Sequence, residues 1–379
     1  MFRVFGRSSV SEFLADRIVY RNLEPADPRL PSLESLRVRL GLPEGQIPRK
    51  SEPDYARVIV ELLQQAQRQD APHTAIRKLV LIGDTRLLDG TAFENICQAG
   101  GWPGLAFIGS ETRQPPAVEI IPLANEQSLY LANRWAAMQE FDRYCEGRGM
   151  PIGEDTAVVI DLDKTAIGAR GRNSQTIDQA RVRAVHITVA SILGESFNAA
   201  AFQRAYDQLN QPEFHPFTAD NQDYLAYICL VLGSGLYDLE DVVRQVRSGK
   251  MTSFRQFIDH AEAQAVNLPS ALEQVHRQIY ANVVRGDPTP FKSFRRNEFL
   301  ETVGRMGILG DADPTEKLLA EEIVITQEVR SMALEWRKRG ALLFGLSDKP
   351  DEASLPTPEQ AARGYRPIHQ TETHAVGTG

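Results

Sequence analysis

The sequence lacks the features that mark disulfide-stabilised and zinc-binding proteins. It has three cysteines, Cys97, Cys145 and Cys229, which lie far apart and in no paired-ligand spacing. An odd number of scattered cysteines is typical of buried thiols in a reducing compartment. The seven histidines form no His-x-x-x-His or mixed Cys/His cluster, so a zinc site is not expected.

An excess of basic residues and a long apolar run are also missing. Lys and Arg number 42 against 50 Asp and Glu, which gives a net charge of −8. A nucleic-acid partner is not expected, because binding nucleic acid requires a basic face. No stretch approaches the length of a membrane span, and residues 1–8 lack the apolar run of a signal peptide. We therefore expect a cytoplasmic protein with no membrane partner.

What the sequence does contain is a set of short apolar runs that end in polar residues. The runs at 78–84, 104–108, 157–161 and 340–347 are typical of strands that are buried on both faces. The first two flank a helix predicted over 91–99, and strand, helix and strand in this order predict a parallel sheet. Further helices are predicted over 53–69, 125–146 and 326–338.

Helical periodicity dominates between the strand-bearing ends of the chain. It is clearest at 181–193, 238–246 and 271–284, and no convincing strand interrupts it. We therefore predict one α/β domain, made of residues 1–170 and 326–379, with an all-helical insertion at 171–325. The tail from 348 onward contains Pro, Gly and His, and the pattern leaves its order open.

Three predicted strands end in side chains that bear oxygen: Asp84, Asp161 and Ser347. In a parallel sheet, ligands bind at the carboxyl ends of the strands. A carboxylate such as Asp161 can attack phosphorus, and Asp163 can protonate the leaving alcohol and later activate water. Magnesium would neutralise this acidic pair while it binds phosphate. The alternative is that Asp163 and Thr165 merely cap a following helix, and an isolated Asp-x-Asp leaves the two interpretations nearly even.

The same residues resemble a known family. The run 158–165, Val-Val-Ile-Asp-Leu-Asp-Lys-Thr, resembles the first motif of the haloacid dehalogenase superfamily, an apolar strand followed by Asp-x-Asp-x-Thr. The run 340–350 resembles the second motif, in which Ser347 closes a strand and Lys-Pro follows. The run 81–89 resembles the fourth motif, an acidic pair in the form Gly-Asp-x-x-x-x-Asp. Lys50, which precedes the helix at 53–69, fits the third motif.

The resemblance implies a three-layer, Rossmann-like α/β core with a central parallel sheet and a large helical cap inserted after the first motif. It implies a magnesium ion as cofactor and a small phosphorylated substrate as partner. Ser347, Asp84 and Asp89 have simpler alternative roles as helix caps or turn residues. The implied catalytic residues are Asp161, Asp163, Thr165, Ser347 and Lys50, and the implied metal ligands are Asp161, Asp163, Asp84 and Asp89.

The order of these motifs departs from that of the family. Here the third and fourth motifs, at Lys50 and Asp84, precede the first and second, at Asp161 and Ser347. This is a cyclic rotation, so the chain looks like a circular permutant. Such a rotation is physically tolerable, because cutting an exposed connection leaves the core contacts intact. The alternative is an unrelated N-terminal βαβ domain, which would leave the later motifs without an acidic pair or a lysine.

The expected activity is that of a magnesium-dependent phosphoric monoester hydrolase working through an aspartyl-phosphate. A phosphomutase or another phosphotransferase on the same core remains an alternative, as does a non-catalytic binding protein of the same fold. Candidates for substrate contact are Arg170 and Arg172, just after the first motif. Two weaker sets are the residues at 214–224 and at 285–296, for which capping or solvation is the favoured interpretation.

Overall fold

A computed structural model describes residues 2–378. The strands are β1 (Arg3–Ser8), β2 (Ile18–Val19), β3 (Lys78–Gly83), β4 (Gly104–Gly109), β5 (Val118–Pro122), β6 (Ser128–Ala132), β7 (Thr156–Asp161), β8 (Ile325–Thr326), β9 (Leu342–Leu346) and β10 (Thr373–Gly377). The helices are α1 (Ser11–Leu14), α2 (Leu33–Leu40), α3 (Pro53–Asp70), α4 (Leu88–Gly100), α5 (Met138–Gly147), α6 (Ser174–Leu193), α7 (Ala199–Leu209), α8 (His215–Thr218), α9 (Gln222–Gly233), α10 (Leu239–Arg247), α11 (Phe254–Ala263), α12 (Ser270–Val284), α13 (Lys292–Val303), α14 (Thr315–Glu321), α15 (Gln327–Lys338) and α16 (Pro358–Ala362).

A seven-stranded sheet with the order β2-β9-β7-β3-β4-β6-β5 forms the centre of the α/β part. All neighbouring strands in it are parallel except β5 and β6, which are antiparallel. The central strands β7, β3 and β4 are apolar along their length, as strands covered on both faces must be. The predicted α/β class with a mostly parallel central sheet is confirmed.

Helices pack against both faces of this sheet. Leu79 and Leu81 of β3 lie in one hydrophobic cluster with apolar residues of α3 and α4. Alternate residues of a strand face opposite ways, and on the other face Phe107 of β4 packs edge-on against Phe141 of α5, with ring centroids 5.5 Å apart. α15 contacts both α5 and β9. The core of the α/β part therefore has helices above and below the sheet.

The structure corrects the sequence-based prediction over 125–146. The predicted single helix is instead β6 followed by α5, which begins only at Met138. The run Ser-Leu-Tyr-Leu-Ala at 128–132 forms a strand because its backbone N–H and C=O groups pair with β4 on one side and with β5 on the other. β5 itself was not predicted, because its residues are largely exposed at the sheet edge and form no buried run.

A second, three-stranded sheet has the order β1-β10-β8. β10 lies in its middle, antiparallel to β1 and parallel to β8, and every residue of β10 is buried. The last part of the tail is thus an ordered internal strand, which settles the question that the sequence left open.

The chain forms two compact units by its internal contacts. One unit extends to Gln179 and resumes at Thr302, and the other is Ala180–Glu301. The second unit lies within the span 171–325 for which the sequence predicts helices. It is built of helices around its own apolar cluster, in which Phe257 and Tyr227 are fully buried and Tyr224 stacks on Phe254 with centroids 3.8 Å apart.

Candidate active site

The carboxyl ends of three neighbouring strands bring the predicted polar residues to one edge of the central sheet. β9, β7 and β3 are adjacent and parallel, and Asp161 pairs with Leu346 at the ends of β7 and β9. Asp84 and Ser347 directly follow β3 and β9. The alignment of strand ends that the sequence predicts is therefore present.

Lys50 contacts two aspartates, Asp89 and Asp161, that lie far from it in the sequence. Its Nζ donates to Asp89 Oδ1 and to Asp161 Oδ1, each at 2.6 Å, although these residues are 39 and 111 positions away. The Lys50 side chain is only 2 % exposed. A buried ammonium group is costly unless such partners replace its hydration, so the two ion pairs fix its position.

Asp89 organises the turn that carries Asp84. It lies in the first turn of α4, and its Oδ2 accepts hydrogen bonds from the backbone N–H of Asp84 (2.9 Å), the backbone N–H of Thr85 (2.8 Å) and the Thr85 hydroxyl (2.9 Å). Gly83 must be glycine here, because a Cβ on it would lie 2.6 Å from Asp89 Cγ. Asp89 is therefore both a helix-start residue and a part of the acidic cluster.

The three aspartates Asp84, Asp89 and Asp161 offer carboxylate oxygens that all lie within 4.8 Å of one another. Oxygen donors of this kind fit a hard divalent cation such as magnesium. Within residues 2–378, this cluster does not include the carboxylate of Asp163, which is half-buried in the loop after β7. The acids that the structure brings together are thus three of the four predicted ligands.

The charges of the cluster are unbalanced without a cation. Burial raises the pKa of Asp161 well above its ordinary value, and Lys50 opposes this rise. Burial, followed by the charge of Asp89, raises the pKa of Asp84 to about 6. Burial works against ionisation of Lys50 and Asp89 as well, but the carboxylates raise the pKa of Lys50, and Lys50 lowers the pKa of Asp89. The site therefore favours an added positive charge, whether a proton or a metal ion.

Comparison of the chain with protein-family models, with curated proteins and with solved structures finds no match. Within the described residues, no helix is both long enough and apolar enough to span a membrane.

The loop after β7 is held in a tight turn and does not lead directly into a helix. The backbone N–H of Ala166 donates to the carbonyl of Asp161 at 3.2 Å, and Lys164 adopts a left-handed conformation with φ of 64°. The buried Thr165 hydroxyl donates to Asp161 Oδ2 at 3.1 Å. The next helix begins only at Ser174. The alternative of Asp163 and Thr165 as caps of a following helix is therefore wrong.

Ser347 lies directly after β9, as the sequence predicts, and no α-helix begins in the segment immediately behind it. Its Oγ accepts a hydrogen bond from the backbone N–H of Lys349 at 3.1 Å. The segment then forms only a three-residue 3₁₀ helix, Asp351–Ala353, with Pro350 at its start. Any anion at Ser347 would meet a hydroxyl and loop amides, and no helix N-terminus.

The two predicted substrate arginines differ in their surroundings. The Nε of Arg170 donates to Asp84 Oδ2, so Arg170 belongs to the site. Arg172 is 1 % exposed and is bound by Glu328 and Glu111, with guanidinium-to-carboxylate distances of 2.8 Å. In this structure the Arg172 guanidinium is enclosed by these two carboxylates, whereas Arg170 is partly exposed.

One polar residue near the site was not predicted. Tyr20 directly follows β2, at the same edge of the sheet, and the negative charge of Asp163 adds to the effect of burial in raising the pKa of Tyr20. The Tyr20 hydroxyl lies 2.9 Å from His369 Nδ1, and His369 Nε2 lies 3.1 Å from Asp16 Oδ1. β2 has only two residues, which is too short for a periodic signal, so the sequence alone gives no hint of this chain of contacts.

Proposed function

We propose that this chain is a magnesium-dependent phosphatase of the haloacid dehalogenase type, with its motifs in rotated order, that acts through an aspartyl-phosphate at Asp161. The observation that carries the proposal is the contact of Lys50 with both Asp89 and Asp161. These residues come from the third, fourth and first motifs. An unrelated N-terminal domain would not be expected to supply a lysine and two acids to the strand end that bears Asp161.

The proposed metal site consists of Asp84 and Asp161, with Asp89 acting through a coordinated water or by orienting its neighbours. The donor set supports this, since carboxylate oxygens from three residues lie within 4.8 Å of one another. When bound, magnesium would offset the mutual repulsion of these acids and of an incoming phosphate. Asp163 is proposed as an acid and base, and its position outside the cluster agrees with that role better than with direct ligation.

In the proposed first step, a carboxylate oxygen of Asp161 attacks the phosphorus atom of the ester. The bond from phosphorus to the alcohol oxygen breaks, and Asp163 gives its proton to the leaving alkoxide. Lys50 and Thr165 each hold one oxygen of Asp161, which orients the carboxylate before the attack. The Ser347 hydroxyl and the neighbouring amides are proposed to hold an oxygen of the phosphoryl group.

In the second step, Asp163 takes a proton from water, and the oxygen of that water attacks the phosphorus of the aspartyl-phosphate. The acyl-phosphate bond breaks, which releases inorganic phosphate and regenerates the Asp161 carboxylate. We further propose that the helical unit, Ala180–Glu301, serves as the cap that selects a small phosphorylated substrate.

The test is hydrolysis of an aryl phosphate with magnesium, with EDTA, and by the variant Asp161→Asn. We expect EDTA to abolish turnover and D161N to lower it by about a thousandfold or more, because the amide is a far poorer nucleophile. Asp155→Asn is the matched control, since Asp155 precedes the same strand at its opposite end and pairs with Lys78. D155N should retain wild-type activity.

Turnover that survives in D161N would sink the nucleophile assignment. If no phosphoester in a broad panel is hydrolysed but a phosphorylated ligand binds, the chain is a binding protein on this fold. Transfer of the phosphoryl group to a second hydroxyl of the substrate, without release of phosphate, would identify a mutase.

A further inference from the structure

The backbone of Arg170 is fixed on both sides. Its N–H donates to the carbonyl of Lys164 at 2.8 Å, and its carbonyl accepts from the backbone N–H of Glu111 at 2.9 Å and from Trp135 Nε1 at 3.2 Å. The following residue, Gly171, lies so close to this segment that a Cβ on it would overlap the carbonyl oxygen of Glu111. The backbone at Arg170 is therefore held in place.

The side chain of Arg170, in contrast, has open solvent beside it. It is 40 % exposed, whereas the Asp84 side chain with which it pairs is 7 % exposed. The guanidinium can leave Asp84 for solvent or for a ligand without any change in the backbone. Lys50, which pairs with the other two acids, is buried and has no such freedom.

Charge decides where the guanidinium lies. Lys50 pairs with both Asp89 and Asp161, and Arg170 pairs with Asp84. A partly exposed ion pair contributes little, whereas like charges a few ångströms apart repel strongly. A divalent cation on Asp84 would thus expel the guanidinium from its present position.

From this geometry we infer that Arg170 is an exchangeable counter-ion, which pairs with Asp84 in the absence of metal and moves to the phosphoryl anion when a divalent cation takes its place. The inference rests on the proposed function and adds a coupling between its two ligands. A guanidinium is suited to this exchange, because its planar fork binds a carboxylate or a phosphate equally well.

Binding of the cation and of the anion should consequently assist each other. The anion draws Arg170 away from Asp84 and frees that carboxylate for the cation, and by linkage the cation raises the affinity for the anion by the same factor. Without Arg170, no guanidinium competes with the cation for Asp84, and the coupling through this side chain is lost.

The test is isothermal titration calorimetry with magnesium, in the absence and presence of inorganic phosphate, on the full chain. We expect Arg170→Ala to bind magnesium alone roughly fivefold more tightly than the wild type does, and phosphate to improve magnesium binding by roughly fivefold in the wild type but much less in the variant. Arg339→Ala is the matched control, because Arg339 is also partly exposed and pairs with Asp142 before the start of β9, at the opposite edge of the sheet. R339A should behave as the wild type. Magnesium also associates with phosphate in solution, and because this effect is the same in the titration of R339A, the comparison corrects for it.

A purely structural role of Arg170 would leave magnesium affinity unchanged or weaken it, so equal or weaker binding in R170A overturns the inference. Asp84→Asn separates this failure from that of the proposed function. If D84N binds magnesium as well as the wild type does, or if the wild type does not bind it, the metal site is wrong and the inference falls with it. If binding requires Asp84 but R170A matches R339A, only the exchange is wrong.

Discussion

Lys50 shows how one buried charge holds the candidate site together. Its ammonium group has two carboxylate partners at 2.6 Å and almost no contact with water. In such a pair, each partner offsets the desolvation of the other, so that the loss of one leaves the other as an uncompensated buried charge. Loss of the Lys50 ammonium group should therefore destabilise the folded protein.

We predict that Lys50→Met destabilises the metal-free protein by about 3–5 kcal/mol, since Asp89 and Asp161 lose their shared counter-ion. The matched variant Lys78→Met removes a more exposed pair with Asp155 and should cost about 0–1 kcal/mol. Urea denaturation in EDTA, followed by tryptophan fluorescence, measures both. The fluorescence reports on the α/β unit alone, because the three tryptophans, Trp102, Trp135 and Trp336, all lie in it.

Equal stability of K50M and the wild type in EDTA would contradict the prediction. Restoration of stability in the double variant K50M/D161N, which removes one of the two stranded charges, would support the electrostatic explanation over a loss of packing.

Asp351 carries a half-buried carboxyl outside the acidic cluster. Burial, with smaller effects from the charges of Glu352 and Glu24, raises its pKa from 3.8 to about 7. The folded state thus holds a proton that the unfolded state releases near pH 3.8, and the stability from this group is lost as the pH rises toward 7.

We predict that Asp351→Asn stabilises the protein by about 1–3 kcal/mol at pH 8 and by less at pH 5, because the amide does not ionise. The Asn oxygen can still accept the hydrogen bond that the backbone N–H of Asn22 donates to Asp351 Oδ1 at 3.1 Å. Urea denaturation of both proteins at the two pH values is the measurement. A gain that is the same at pH 5 and pH 8 would rule out titration as its cause.

Among the elements, the loop between β7 and α6 carries most of the candidate site. Asp161, Thr165 and Arg170 all belong to it or to the strand end before it. Its shape depends on Gly171, which has a φ of 77° and lies against the backbone of Glu111. A side chain at this position would be strained and would also displace the segment after β4.

We predict that Gly171→Ala costs about 1–2 kcal/mol for the left-handed conformation and about 1–3 kcal/mol more for the clash with the Glu111 carbonyl. Gly149→Ala is the control, because Gly149 has a φ of 71° in the same unit but a Cβ on it would meet nothing within 4 Å. It should show only the first cost. Thermal unfolding of the two variants compares them, and similar melting temperatures would mean that the loop can shift away from Glu111.

The elements that the sequence predicted correctly are those with a strong local cause. β3, β4 and β7 were recognisable because strands covered on both faces must be apolar throughout, and α3 because its apolar residues recur with helical spacing. β2 and β8 have two residues each and exist only through pairing with distant strands. β6 was mistaken for a helix because an apolar run is compatible with either structure until its neighbours are known.

Some residues of the candidate site could likewise be predicted from local sequence, and others could not. Asp161, Asp84 and Ser347 could be placed because strand ends converge in any parallel sheet. The difference between Arg170 and Arg172 could not, because it depends on Glu328, which lies 156 positions from Arg172. Only the tertiary structure shows which of two neighbouring arginines is enclosed.

At the scale of the whole molecule, the two units have separate hydrophobic cores. Phe257 is fully buried in the helical core. Phe344 of β9 is fully buried in the hydrophobic cluster on one face of the central sheet. Truncation of either ring removes apolar contacts from one core and leaves the other intact.

We predict that Phe257→Ala speeds amide hydrogen exchange within Ala180–Glu301 and leaves β3 and β7 protected, whereas Phe344→Ala has the reverse effect. Each substitution should cost its own unit about 3–5 kcal/mol. Hydrogen exchange followed by mass spectrometry resolves the two regions, each variant being the control for the other. Loss of protection in both regions from either variant would show that the units unfold as one.

The chain order of the central sheet also has a consequence for synthesis on the ribosome. β7 emerges with β3 ready to pair on one side, but its other neighbour, β9, follows about 180 residues later, after the entire helical unit. At translation rates of about 5–20 residues per second, the apolar edge of β7 waits for roughly 10–40 seconds. An open apolar strand edge is a template for pairing with other chains. The nascent protein therefore passes through an interval in which this edge is open to pairing with other chains, and we expect its yield to depend on how well the edge is shielded during that time.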